Sequence, residues 1–301
     1  MKNGIENKST VTNDPEFISP KVDYAFKQMM NNEIALKNFL SAVLKIPRED
    51  IKNLLYVDTH TLKEHEDDKY VVMDVRLLLK DQYEIDIEMQ VMNFRHWTDR
   101  VLYYNCKMLS EQIKRGQDYS KFIKCISISL LDFSIFDKEK FPGYYSSYHV
   151  REDKDSRIFN DLIEFHIIEL PKIPEDLVKV PMDDLLMWIK FINSDNREEM
   201  EMLSEKNEGI KAAYDELESL KNDDVRRQIY YAREKAIMDY KVQSRAAKEE
   251  GYKEGVQEGI LQTAKNMLKN DLSVNLIETV TGLPEEVIEK LKEEIESKNN
   301  I

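Results

Sequence analysis

The fold turns on residues 69–92, KYVVMDVRLLLKDQYEIDIEMQVM. Side chains in a strand alternate between faces, and this stretch reads as two strands around a Lys80-Asp81-Gln82 turn. In the second strand Ile85, Ile87, Met89 and Val91 share an apolar face, whereas Glu84, Asp86, Glu88 and Gln90 share the other. In the first, Val72, Asp74, Arg76 and Leu78 point one way. Pairing symmetrical about Asp81 sets Asp74 opposite Glu88, with Gln90 one step beyond. Two carboxylates and a backbone carbonyl there form an oxygen-rich half-shell suited to Mg²⁺ or Mn²⁺. The same pattern also describes an ordinary antiparallel hairpin with one solvated face. Val72 and Leu78 beside Asp74 argue for partial burial, and a buried carboxylate without a partner is costly.

Working outward, residues 21–44 space Phe26, Met30, Ile34, Leu40 and Val43 at near-helical intervals, as one broken helix or two short ones. Ser19 and Pro20 supply a helix start. NLLYVDTHTL (53–62) is β-rich. A long helix is expected from about Phe94 to Arg115, ended by Gly116, then an apolar strand within 122–136. Further strands are expected near 145–151 and 163–170, and an apolar helix over 182–193. Strands mixed with helices in this order predict an α/β fold around a mixed sheet.

The 301 residues carry 44 basic and 58 acidic side chains, a net −14. Residues 1–196 hold 27 basic against 34 acidic and 197–301 hold 17 against 24, so each part is −7 and the shorter one is denser in acid. This places a domain boundary near Asp195–Arg197: a globular domain over 17–195 and an acidic helical region over 196–301. The acid excess argues against non-specific attraction to DNA or anionic lipid, while leaving room for a local basic groove. Cys106 and Cys125 have no metal-ligand spacing, and the N-terminus has no apolar signal segment. No apolar run reaches the ~18 residues of a membrane span. A cytoplasmic protein with a loose segment over 1–16 is expected. His60, His65, His96, His149 and His166 form no HxH or HExxH pair, and no phosphate-binding glycine loop or GxSxG elbow occurs.

Four segments carry a resemblance. SPKVDYAFKQMM (19–30), VVMDVRLLL with YEIDIEMQ (71–79, 83–90), RVLYYNCKMLSEQIKRGQDYSKFIKCISISLLDF (100–133), and the tail pieces EEGYKEGVQEGI and ETVTGLPEEVIEKL occur in order along the chain. Together they resemble the bacterial Rpn family of recombination-promoting nucleases and transposases, within the PD-(D/E)XK nuclease superfamily. The resemblance implies a restriction-endonuclease-like core with a long helical C-terminal region. It implies a Mg²⁺- or Mn²⁺-dependent DNA endonuclease linked to recombination or mobile elements. Asp74 and Glu88 would hold the metal, with the Met89 backbone carbonyl completing the shell. Gln90 stands where many superfamily members have Lys; an amide can orient water but is no useful base. Asp23, in the opening helix, is either a further acid of the site or a helix-surface charge.

Arg100, Lys107 and Lys114 recur every seven residues and would form one stripe on a helix over 94–115. That stripe is either a solvated face or a DNA-phosphate contact, with Leu102, Leu109 and Ile113 turned to the sheet. In the tail, Gly251, Gly255 and Gly259 share a stripe of a marginal helix, expected to be an arm for homo-oligomer formation. Residues 273–295 have a helix–turn–helix cadence, with Gly282 at the turn and Pro284 opening the second helix. Glu285, Glu286, Glu289, Glu293 and Glu294 make that helix too acidic to read DNA, so a small protein-interaction bundle is expected. A non-catalytic adaptor, binding DNA or protein through the basic helix and the arm, is the alternative to the nuclease.

Overall fold

The computed structural model describes residues 17–57, 74–79, 82–174 and 182–299. The segment 1–16, Val72, the turn residues Lys80 and Asp81, and the proposed strand beyond residue 57 lie outside the described residues. The chain divides into two compact units, one ending at Ile237 and one beginning at Met238. Among the described residues, no helix is long and apolar enough to cross a membrane.

The first unit opens with two helices, α1 (Asp23–Met30) and α2 (Glu33–Leu44). The break falls at Asn32, whose side chain accepts the backbone N–H groups of Ile34 and Ala35 and caps α2. The start of α1 is three residues later than Pro20 suggests, and the Ser19 N–H is taken by the Tyr230 hydroxyl. Six strands follow: β1 (Leu54–Tyr56), β2 (Val75–Leu79), β3 (Tyr83–Gln90), β4 (Lys124–Leu131), β5 (Tyr145–Arg151) and β6 (Ile158–Glu169). They form one sheet in the order β1-β2-β3-β4-β6-β5. The β3–β4 and β4–β6 pairs are parallel and the others antiparallel. The mixed α/β architecture is as expected.

Two parallel neighbours cannot be joined by a tight turn, so the chain crosses from β3 to β4 through α3 (Trp97–Glu111). That crossover lies over the face bearing Glu84, Asp86, Glu88 and Gln90: Asn105 of α3 donates to Ser127 of β4, and the α3 residues Arg100 and Glu111 reach Gln90 and Arg76. The opposite face carries Ile85, Ile87, Ile126 and Ile128 into the main core, shared with Phe26, Met29, Leu36 and Phe39 of the opening helices.

The core is completed by α4 (Asp184–Asn193), α5 (Arg197–Ser204) and α6 (Glu208–Asn222), capped by Asp183, Asn196 and Asn207. The first unit therefore extends past the expected boundary at 195/196. Each of α5 and α6 is charged on one side only; Met200, Leu203, Ile210, Ala213, Leu217 and Leu220 form the buried stripes. At Gly209, α6 comes so close to α2 that a Cβ would sit 2.1 Å from that of Asn38. The 46-residue α7 (Asp224–Lys269) buries Tyr230 in the first unit.

In the second unit, the end of α7 joins α8 (Val274–Thr281) and α9 (Glu285–Asn299) around Ala264, Ile277, Ile288 and Leu291. Gly282 makes the turn with φ 70°, as the sequence suggests.

Candidate active site

The register of β2 and β3 is symmetrical about residue 81, running from Val75 opposite Ile87 to Leu79 opposite Tyr83. Continued one step, it sets Asp74 beside Glu88. The ladder gives way there, because the Met89 N–H is accepted by Asp74 Oδ2 at 3.0 Å. Within an extended strand the N–H and C=O of one residue point to the same neighbour. The Met89 carbonyl is thus on the Asp74 side, whereas the Gln90 carbonyl is turned the other way, to Asp132 N at 2.9 Å.

A cleft of about 190 Å³ opens at this end of the sheet. Asp23, Asp74, Glu88, Met89, Gln90 and Arg100 all line it, with Ile237 of α7 on its wall. Six sequence candidates from four separate segments, Asp23 among them, thus meet in one place. Asp23, the first residue of α1, accepts its neighbour's N–H (Tyr24) and lies 3.9 Å from Arg233 of α7. Arg100 extends from the first turns of α3, Nη2 being 3.4 Å from Gln90 Oε1 and 3.7 Å from Glu88 Oε2. Its guanidinium lies over Phe94 and Tyr104, 5.6 and 5.1 Å from the ring centroids.

The rest of the basic stripe is not at the cleft. Lys107 is two helical turns on, about 10 Å along the axis, and does not line it. Lys114 is not on the helix at all, since α3 ends at Glu111; it lies exposed in the following loop. The helix is also rotated from the expected setting. Trp97, Val101, Asn105 and Met108 are its buried residues, Leu102 is exposed, and Ile113 falls beyond its end. The face it covers is polar, so an apolar count alone misjudges which side of α3 turns inward.

The carboxylate face of β3 is not solvated: Glu84, Asp86, Glu88 and Gln90 are all buried. Their partners differ along the strand. Glu84 Oε1 accepts from Arg76 Nε at 2.7 Å and Oε2 from Gln112 Nε2 at 2.9 Å, and Arg76 also binds Glu111. Asp86 Oδ1 and Glu88 Oε2 are buried with no hydrogen-bond partner. Burial first, then the Asp74 charge, pushes the Glu88 carboxyl up to about 7 against the opposing pull of Arg100. Burial likewise raises Asp74 to about 6, with the Met89 N–H pulling down and Asp23 pushing up. Asp86, the most enclosed, is raised well above the carboxylate range by burial, Glu88 and Asp74. Asp86 does not line the cleft, but it shares a buried face with Glu88 and raises no candidate role in the sequence. The shared face itself follows from simple alternation.

Unsatisfied carboxylate oxygens this deeply buried call for protons or a cation. The donor set is oxygen only, which suits a hard divalent ion rather than zinc, so these residues fit such an ion. A family model described as PD-(D/E)XK nuclease family transposase matches residues 20–247. The chain belongs to that family. No curated protein and no solved structure matches the chain. The family match spans the whole described part of the sheet and ends within α7, ahead of the three-glycine stripe and the terminal bundle.

A second group of potential ligands, His149, Asp161 and Glu164, lies on β5 and β6 with ligand atoms within 4.8 Å of one another. It differs from the cleft in how closely its cation is held: Lys124 Nζ binds Asp161 at 2.8 Å and also contacts Glu164, whereas Arg100 stays 3.7 Å from Glu88. Burial would raise Glu164, but the close contacts with His166 and Lys124 outweigh it and hold the carboxyl at about 2. Its charge is compensated by the protein itself.

Proposed function

We propose that the chain is a divalent-metal-dependent endonuclease that hydrolyses phosphodiester bonds in DNA, serving recombination or mobile-element movement. The observation that carries this reading is the meeting of Asp74 and Glu88 in one cleft, with a buried Glu88 oxygen that no protein group satisfies. Asp74, Glu88 and the Met89 carbonyl would hold Mg²⁺ or Mn²⁺. The ion would neutralise the phosphodiester charge and lower the pKa of a bound water. Hydrolysis then adds water across the P–O bond, its oxygen to phosphorus and its proton to the departing sugar oxygen. Asp74 and Glu88 contribute by ionising when they take the cation, and Asp23 adds negative charge at the rim. Arg100 and Lys107 would track the DNA backbone along α3, with Lys114 contacting it from the loop beyond. The site of action would be the cytoplasm, and the α7 arm would join copies of the chain.

The second reading is a nuclease-like adaptor without catalysis, favoured by Gln90, whose amide supplies neither positive charge nor a base. Plasmid cleavage with Mg²⁺, Mn²⁺ or EDTA, comparing wild type with Asp74→Ala and Glu88→Ala, separates the two. Metal-dependent nicking lost in both variants is the expected result. Equal cleavage by wild type and variants would overturn the site, and retained DNA binding without cleavage would favour the adaptor.

A further inference from the structure

Resting on the nuclease reading, the geometry assigns Gln90 a positioning role: we propose that it acts through Arg100, holding the guanidinium at the cleft, where Arg100 takes a non-bridging oxygen of the DNA phosphodiester. Both ends of the Gln90 amide are already engaged by the protein. Oε1 accepts from Arg100 Nη2 at 3.4 Å and Nε2 donates to the Met92 carbonyl at 3.0 Å. The side chain is only 8% exposed, so its orientation is fixed from two sides. An amide tied in this way is poorly placed to orient an attacking water and well placed to orient its neighbour.

Arg100 is the single basic residue lining the cleft among the described residues, where it faces Asp23, Asp74 and Glu88. A phosphodiester entering here meets three carboxylates and one guanidinium, so the one fixed cation governs its approach. The guanidinium is packed against two aromatic rings and is one-third exposed, so it reaches solvent at the cleft while its stem is held. Guanidinium carries five N–H donors in a rigid fork that matches phosphate oxygens. Its contacts here use few of these donors: Gln90 takes one N–H from Nη2, the Tyr104 hydroxyl contacts the guanidinium, and Glu88 at 3.7 Å is beyond hydrogen-bond reach. A cation held in place in advance loses less side-chain freedom on meeting its anion.

The test is a double-mutant cycle on the full chain with Gln90→Ala, Arg100→Ala and the pair, plus Arg100→Lys. Thermal melts establish that each variant is folded. Binding of a short DNA duplex is followed by fluorescence anisotropy in Ca²⁺ and in EDTA across a salt series. Mn²⁺ affinity is measured separately by calorimetry without DNA. Arg100→Ala is expected to weaken duplex binding about tenfold and to flatten the salt slope by about 0.9, the increment of one phosphate contact. Gln90→Ala is expected to weaken it about threefold, and to do nothing further once Arg100 is gone. Mn²⁺ affinity in Arg100→Ala should be equal to or tighter than wild type, because a competing cation beside Glu88 is removed. Arg100→Lys keeps the charge without the fork, and should restore the salt slope while recovering only part of the affinity.

The inference is overturned if Gln90→Ala costs the same in both backgrounds, or if Arg100→Ala leaves binding and slope unchanged. Should Arg100→Ala fail to fold, an Arg100→Lys variant with wild-type affinity overturns it equally. Cleavage by wild type with an additive cycle would sink this inference alone. A coupled cycle in a protein that never cleaves would sink the nuclease reading and leave the Gln90–Arg100 pair as a phosphate-binding device.

Discussion

Glu88→Gln is expected to make the metal-free protein more stable at pH 8 and to change it little at pH 5. The carboxyl is held at about 7 in the folded chain, against an ordinary value of 4.5, chiefly by burial. A carboxyl raised on folding binds its proton more tightly in the native state than in the unfolded one. Stability therefore falls as pH rises from about 4.5 toward 7, and the full cost is present above that. The glutamine amide resembles the protonated acid in size and lacks the charge. At 1.36 kcal/mol per pKa unit, the cost it removes is about 3 kcal/mol at pH 8 and under about 1 kcal/mol at pH 5. The Arg100 contact at 3.7 Å is already counted, because it opposes the shift.

The assay is urea unfolding in EDTA at pH 5 and pH 8, followed by the tryptophan fluorescence of the two core-facing indoles, Trp97 and Trp188. A gain at pH 8 that vanishes by pH 5 is the expected pattern. A Glu88→Gln variant less stable than wild type at pH 8, or a change of equal size at both pH values, would refute the reasoning. The first result would mean that Arg100 satisfies Glu88 in a structural ion pair; the second would mean that burial of charge is not what the substitution relieves.

Saturating Mn²⁺ should raise the melting temperature of wild type, by about 2.7 kcal/mol of stability at a hundredfold excess over Kd, and leave Asp74→Ala and Glu88→Ala unmoved. Apparent Mn²⁺ affinity, measured by calorimetry, should drop between pH 8 and pH 6, by up to about tenfold per pH unit for each proton displaced from Asp74 and Glu88. Gly209→Ala should destabilise the first unit by about 1–3 kcal/mol in denaturant unfolding, because its Cβ meets Asn38, which accepts from Trp188 Nε1. Gly255→Ala has open space around it in the single chain and should stabilise α7 by about 0.8–1 kcal/mol; a loss of stability at high protein concentration, read by circular dichroism, would show the stripe packed against a partner.

The hairpin was legible because its two constraints are local. Alternation sorts Glu84, Asp86, Glu88 and Gln90 onto one face, and a turn of fixed length sets the register that brings Asp74 to Glu88. Burial of that face was not legible. It depends on β4 pairing in parallel with β3, which forces the connecting helix back across the carboxylates. Hence Glu84 and Glu88, two turns of the same alternation, read alike in sequence; only the fold brings Arg76 and Gln112 to the first and leaves an oxygen of the second without a donor. The division into compact units falls at 237/238 rather than near 195 for a related reason. Charge density marks where acid accumulates, yet Met200, Leu203, Ile210 and Leu217 still form stripes that need a core, and α5 and α6 supply them to the first unit.

The distribution of partners along β3 ties stability to chemistry. Truncating Arg76 would leave Glu84 buried and uncompensated, and losing one partner of a buried pair costs about 3–5 kcal/mol. Truncating Glu88 removes a charge the fold already holds at a disadvantage. One strand thus carries a carboxylate held by protein donors and another whose ionisation burial opposes, four residues apart on one face. A structural carboxylate gains nothing from the second arrangement. A residue that must ionise as a cation arrives does, because the burial cost it carries alone is relieved on binding. The acid excess of the whole chain is compatible with that logic: what governs the approach of a phosphodiester is the local balance between Glu88, a bound cation and Arg100, not the net −14.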